Sequence, residues 1–153
     1  MSQTKPKTLA IAGLLGLALA YVFNFMWESY GQVLPGIPWL AIVGMMILSV
    51  VLLVVGLPIK KWNEGDRTRV LDPLKAARVA IMAKAAALAG ASLTGWYAGS
   101  AVYLLTTGGG ARSSSGAGML LAVAAAAVLM IVGLIVESYC QLPPDDPEGT
   151  EPA

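Results

Sequence analysis

The run from Asp72 to Leu105 is the longest apolar stretch of the chain, and it contains one lysine, Lys84. At about 1.5 Å per residue, a helix of this length exceeds the roughly 30 Å hydrocarbon core of a bilayer, so it must begin in the headgroup region or beyond. Asp72-Pro73 reads as an N-cap followed by proline at the first helical position. The run therefore predicts a long membrane-spanning helix that carries a cation inside the membrane.

On a helical wheel, Lys84 lies among small residues and opposite bulky ones. The small residues are Ala77, Ala80, Ala87, Ala91, Gly95, Ala98 and Gly99. The bulky residues are Met82, Leu93, Trp96 and Tyr97. Because transmembrane helices approach each other closely at small residues, we expect the small face to pack against neighbouring helices and the bulky face to contact lipid.

The composition indicates an integral membrane protein, because 57% of residues are hydrophobic and only 12% are charged, against roughly 25% charged in a soluble domain. The expected fold is all-α, a compact four-helix transmembrane bundle with the third helix at its centre. It occupies residues 1–142, and a disordered tail of prolines and acids follows at 143–153. The predicted spans are about 9–27, 39–59, 74–105 and 119–140.

Two connections between spans are predicted from their composition. The segment 29–38 contains two glycines and two prolines, which predicts a tight loop. The segment 106–118 contains three consecutive glycines and three consecutive serines, which predicts a flexible loop. The spans should then pair as two hairpins, the first with the second and the third with the fourth.

The first apolar run has an alternative interpretation as a signal peptide. Lys5 and Lys7 precede it, and Ala18-Leu19-Ala20 resembles a cleavage site. The run continues to Trp27, however, which gives it the length of a span rather than of a shorter signal core. We therefore expect it to be the first span.

The distribution of basic residues predicts the orientation. The first and third polar segments, counted with their flanks, contain eight lysines and arginines, whereas the alternate segments contain only Arg112. The eight are Lys5, Lys7, Lys60, Lys61, Arg67, Arg69, Lys75 and Arg78. Because basic residues favour the cytoplasmic side, both termini are expected in the cytoplasm and the chain in the cell inner (plasma) membrane as a multi-pass protein.

Lys84 and Glu137 are the candidate intramembrane site. Lys84 lies six residues past Arg78, about 9 Å deeper along the helix, and Glu137 lies six residues before Pro143 on a helix of opposite direction. We hypothesise a contact between the Lys84 ammonium and the Glu137 carboxylate that fixes the register of the second hairpin. Two alternatives stay open, namely snorkelling of Lys84 to the headgroups and a substrate or proton site.

Further polar contacts are expected from Asn24, as an interhelical hydrogen-bond donor, and from Arg78 at the membrane interface. Asn24 lies on a small and polar stripe of the first span that ends at Glu28, which is expected in the outer headgroup region. The aromatic residues near span ends are read as interfacial belts. They are Trp27, Tyr30, Trp39, Trp62, Tyr103 and Tyr139.

Several classes of function lack sequence support. The chain has no histidine and one cysteine, Cys140, so no metal site or cofactor is expected. Nucleic acid is not an expected partner, and catalytic motifs are missing, so an enzyme is not expected. The favoured function is a non-enzymatic accessory or scaffold protein that packs against the lipid bilayer and a membrane-protein partner or a second copy. The alternative is a small transporter or lipid-handling subunit with its polar site at Lys84 and Glu137.

Several motifs together resemble a known family. They are Asp72-Pro73-Leu74-Lys75-Ala76-Ala77-Arg78, Ala83-Lys84-Ala85-Ala86-Ala87-Leu88-Ala89-Gly90, Gly95-Trp96-Tyr97 and the run from Val136 to Asp146. They resemble the actinobacterial four-span membrane family known as domain of unknown function 3180. In that family an arginine stands at the place of Gln141 and a tryptophan at that of Tyr139, so this chain departs there. Members are often encoded beside folate-biosynthesis genes, which implies a functional neighbourhood but no activity.

Overall fold

The structure is a computed structural model that describes residues 4–31, 38–63, 73–107 and 110–140. The described chain consists of four α-helices and, within those ranges, contains no strand. The helices are α1 (Pro6–Ser29), α2 (Trp39–Asn63), α3 (Pro73–Thr107) and α4 (Gly110–Tyr139). All four are long and apolar enough to cross a membrane. The all-α four-helix prediction is therefore confirmed, and α3 begins at Pro73 as the sequence predicts. The acidic tail lies outside the described residues.

Helix α1 packs on α3, and the two helices run parallel. Successive glycines of this contact meet successive positions on the partner, Gly95 against Gly13 and Gly99 against Leu17 and Ala20. A methyl group on Gly95 would lie 1.9 Å from the carbonyl oxygen of Gly13. The two backbones are therefore in direct contact, which only residues without a side chain permit.

Helices α3 and α4 form an antiparallel hairpin at the centre of the molecule, which confirms the predicted second hairpin. Gly90 on α3 lies against the Met130 backbone, and Gly133 on α4 lies against Ala83 and Ala87. The predicted small face of α3 thus divides its contacts, with Ala87 facing α4 and Gly95 and Gly99 facing α1.

The main apolar core joins α2 to α3 and α4. Its larger members are Met45, Leu52, Ile59, Val79, Leu129, Val132 and Val136. Leu93 and Tyr97 on α3 pack against this core, so the prediction that the bulky face of α3 meets lipid is wrong at these two positions. Met82 is 52% exposed, as predicted for that face.

The predicted first hairpin is wrong. Within the described helices, α1 contacts neither α2 nor α4, and α2 packs mainly on α4. The helices lie in a row in the order α1, α3, α4 and α2, and α3 contacts all three of the other helices, as predicted for the central helix. Glycines let the backbones of α1 and α3 touch, whereas on α2 Gly44 meets nothing within 4 Å and Gly56 meets the Val136 side chain of α4.

The predicted flexible loop at 106–118 is also wrong over most of its length, because α3 continues to Thr107 and α4 begins at Gly110. Gly116 and Gly118 are buried, and a methyl group on Gly116 would lie 3.0 Å from the Leu105 side chain. Packing against α3 therefore overrides the low helix propensity of glycine and serine at this position.

Candidate functional site

Glu137 accepts two hydrogen bonds from the residue that precedes the cap of α1. The Thr4 backbone N–H donates to Oε1 at 2.9 Å, and the Thr4 hydroxyl donates to Oε2 at 2.6 Å. Glu137 is 8% exposed. Its carboxylate therefore joins the end of α4 to the start of α1, where a negative charge also interacts favourably with the positive end of the helix dipole.

Lys84 lies at the same end of the molecule and is half-buried. The contact between Ala87 and Gly133 fixes its position relative to Glu137. Lys84 precedes Ala87 by three residues and Glu137 follows Gly133 by four, and the helices are antiparallel. Both residues therefore lie about one helical turn from that contact, towards the same end of the hairpin. Each lies on the face of its helix that packs against the other helix. The Lys84–Glu137 pair stays a prediction, and this placement agrees with it.

Asn24 is buried at the contact between α1 and α3. Its amide Nδ2 donates to the hydroxyl of Ser100 on α3 at 3.0 Å and to the carbonyl oxygen of Ala20 at 2.7 Å. The hydrogen bond between helices that the sequence predicts for Asn24 is thus made to Ser100. Both donor hydrogens of the amide are used within the protein.

Glu28 and Tyr103 form a second contact one turn further along the same two helices. The Tyr103 hydroxyl donates to the Glu28 carboxylate, and the Tyr103 ring meets the Tyr21 ring edge to face at a centroid distance of 5.4 Å. Tyr103 is only 3% exposed. Its assignment to the interfacial aromatic belt is therefore wrong, because the side chain is buried between α1 and α3.

The glycine contact of α1 and α3 separates two polar regions, one at Lys84 and Glu137 and the other at Asn24 and Glu28. Between Glu137 at one end and Asn24 at the other, a methyl group on Gly16 would lie 2.3 Å from the Ser92 carbonyl oxygen, and one on Gly99 would lie 2.5 Å from that of Leu17. These distances leave no room for water between the two backbones. The contact between α1 and α3 is therefore closed over this length.

Other candidate residues lie at the end near Glu137. Arg78 is exposed, and the Lys60 ammonium lies 5.2 Å from the centroid of the Tyr139 ring. Burial raises the pKa of the Cys140 thiol above its ordinary value, and the negative charge of Glu137 raises this pKa further. The thiolate that reacts with electrophiles is therefore disfavoured at neutral pH.

Metal binding has no support in the described ranges, where no three histidine, cysteine, aspartate or glutamate side chains are grouped to hold an ion. Over the same residues, every buried side-chain nitrogen and oxygen has a hydrogen-bond partner. The polar groups inside the helices are therefore satisfied by one another.

A family model described as "Protein of unknown function (DUF3180)" matches residues 9–144. The chain belongs to this family. The match covers all four helices nearly in full, which confirms the resemblance seen in the sequence. No curated protein and no solved structure matches the chain. The family assignment adds no activity, since the family's own description gives none, and Gln141, where the sequence departs from the pattern, lies outside the described residues.

Two residues of these contacts were missed by the sequence reasoning, Thr4 and Ser100. Thr4 stands just before Lys5-Pro6, and a threonine ahead of a helix start is a signal for side-chain capping. Ser100 follows Gly99 at the edge of the small face of α3, but a serine there is also compatible with bonding its own helix. The hydrogen-bond partner of Thr4 or Ser100 could not be predicted, because it depends on which helices are neighbours.

Proposed function

We propose that this protein is a non-enzymatic accessory protein of the plasma membrane, with both termini in the cytoplasm, and that it packs against another membrane protein or a second copy of itself. The observation that carries the proposal is the closed contact between α1 and α3. A transporter needs a polar path through the membrane, whereas the Lys84 and Glu137 region is separated from the Asn24 and Glu28 region by backbone in direct contact.

The open row of helices also favours a packing role. Helix α2 contacts the rest of the protein along one side only, and its opposite side exposes Val43, Ile47, Val50 and Val54. Helix α1 likewise exposes a broad apolar side. Faces of this kind meet lipid or another helix, and a four-helix row leaves much more of them than a closed bundle.

The test is photo-crosslinking in membranes, with a photoreactive residue at Ile47 or Val54 on α2, or at Leu15 on α1. All three are exposed. The matched control is Leu52, on α2 but 4% exposed. We expect discrete protein adducts from at least one exposed position and none from Leu52, with a mass of twice the chain if the partner is a second copy. Adducts with lipid only, at every exposed position, would contradict the proposal.

One observation favours the transporter or lipid-handling alternative, namely that Glu137 is buried and Lys84 is half-buried within the membrane-spanning helices. Intramembrane ionisable residues are functional candidates by default. Under the accessory proposal, Glu137→Gln changes stability and leaves the crosslinks at the exposed positions intact. Loss of a measured solute or lipid flux in vesicles on the same substitution, with the fold retained, would favour the alternative.

A further inference from the structure

Three helix ends that carry basic residues meet around the C-terminal end of α4. Thr4, at the start of α1, bonds to Glu137, and the end of α2 places Lys60 over Tyr139. The start of α3 joins them because Val79 shares the apolar core with Val136. We call the cations at these three helix ends the basic end; they are Lys5, Lys7, Lys60, Lys61, Lys75 and Arg78.

The side chains of the basic end are accessible. Five of the six are exposed, and Lys60 is half-buried. Among the described residues, the acid at this end is Glu137, and it is 8% exposed and already bonded to Thr4. The described surface at this end is therefore strongly positive.

We propose that the basic end binds the headgroup phosphates of anionic phospholipids. Lysine ammonium groups are mobile point charges that suit phosphate, and basic residues at the cytoplasmic ends of spans attract anionic lipid. Trp62 and Tyr139 lie at the same end, and such aromatic residues occur at headgroup depth.

A lipid fits this end better than a free anion does. The cations lie directly at the ends of helices whose sides are apolar and exposed, such as Leu57 on α2 and Leu74 on α3. A phospholipid supplies a phosphate that binds the cations and acyl chains that cover the apolar helix sides. A free phosphate can bind only the cations. The row of helices leaves these sides open, because α1 and α2 do not contact each other over the residues that the structure describes.

The experiment compares lipid binding by the purified full-length chain and by two variants. The first variant is Lys7→Gln/Lys61→Gln/Lys75→Gln, which removes one exposed cation from each helix end. The second is the charge-matched control Lys7→Arg/Lys61→Arg/Lys75→Arg. Native mass spectrometry from a neutral detergent counts bound phosphatidylglycerol against phosphatidylcholine, and glycerol phosphate serves as the competitor that lacks acyl chains.

We expect the wild type and the arginine variant to prefer phosphatidylglycerol. The glutamine variant should lose that preference by roughly fivefold for each cation removed, or about a hundredfold for all three. A thermal melt of each variant separates this loss from unfolding, because all three positions are exposed and the fold should be retained.

Two results would overturn the proposal. The first is an equal affinity of the wild type for the two lipids. The second is displacement of phosphatidylglycerol by glycerol phosphate at similar concentration, which would identify a free anion as the ligand.

Discussion

The substitution Gly95→Ala tests the closed contact on which the proposed function depends. Its new methyl group would lie 1.9 Å from the Gly13 carbonyl oxygen and 2.7 Å from the Gly13 carbonyl carbon. Both atoms are backbone, so no side chain can rotate away. To reach an ordinary contact of 3.4 Å, the separation must grow by about 1.5 Å, which moves α1 as a whole away from α3 and loosens the neighbouring contacts of Gly16 and Gly99.

The expected cost follows from two opposing effects. Overpacking against a rigid neighbour costs up to about 3 kcal/mol, and alanine gains about 1 kcal/mol over glycine as a helix former. We therefore expect Gly95→Ala to lower the free energy of unfolding by about 2 kcal/mol. The assay is unfolding by sodium dodecyl sulfate in mixed micelles, followed by helical circular dichroism.

The controls are Gly13→Ala and Gly44→Ala. A methyl group on Gly13 would lie 3.5 Å from the Ala91 carbonyl oxygen, an ordinary contact, and one on Gly44 would meet nothing within 4 Å. Both variants should be as stable as the wild type or slightly more stable. The pair Gly13 and Gly95 is a sharp comparison, because the two glycines touch each other and yet should respond with opposite sign. Equal stability of the Gly13→Ala and Gly95→Ala variants would refute the closed contact.

Three further outcomes are expected. Lys84→Ala and Glu137→Ala should each destabilise the protein in detergent by about 2 kcal/mol, with the double variant no worse than either single one; strictly additive losses would exclude the pair. Asn24→Ala should cost about 1 kcal/mol, and Ser100→Ala should add little to it, so that a large extra loss in the double variant would argue against their hydrogen bond. Because the pKa of the Cys140 thiol is raised by burial and by Glu137, its alkylation rate by a maleimide should still be rising above pH 9, and Glu137→Gln should lower the pKa and speed labelling at pH 8. An unchanged rate at pH 8 in the glutamine variant would contradict the influence of Glu137 on this thiol.

The local sequence pattern was sufficient to predict the four helices and the burial of several residues on α3. Runs of apolar residues as long as a bilayer is thick have few alternatives to helices, so the four spans follow from length and composition. The start of α3 at Pro73 and the burial of Ala87, Gly95 and Gly99 follow from capping and helical periodicity. The start of α4 was not predictable in this way, because glycines and serines favour a loop unless a neighbouring helix packs against them.

The sequence by itself determined that this chain forms four membrane-spanning helices. The membrane core contains no water, so the backbone groups of each apolar run must form hydrogen bonds with one another, as they do in a helix. Only the tertiary structure decided which helices are neighbours, and hence that Glu137 bonds to Thr4, Asn24 to Ser100 and Glu28 to Tyr103. The physical reason is that helix association in a membrane depends on the fit of one surface to another. A small-residue face is compatible with several partners, and its periodicity does not say which of them it meets.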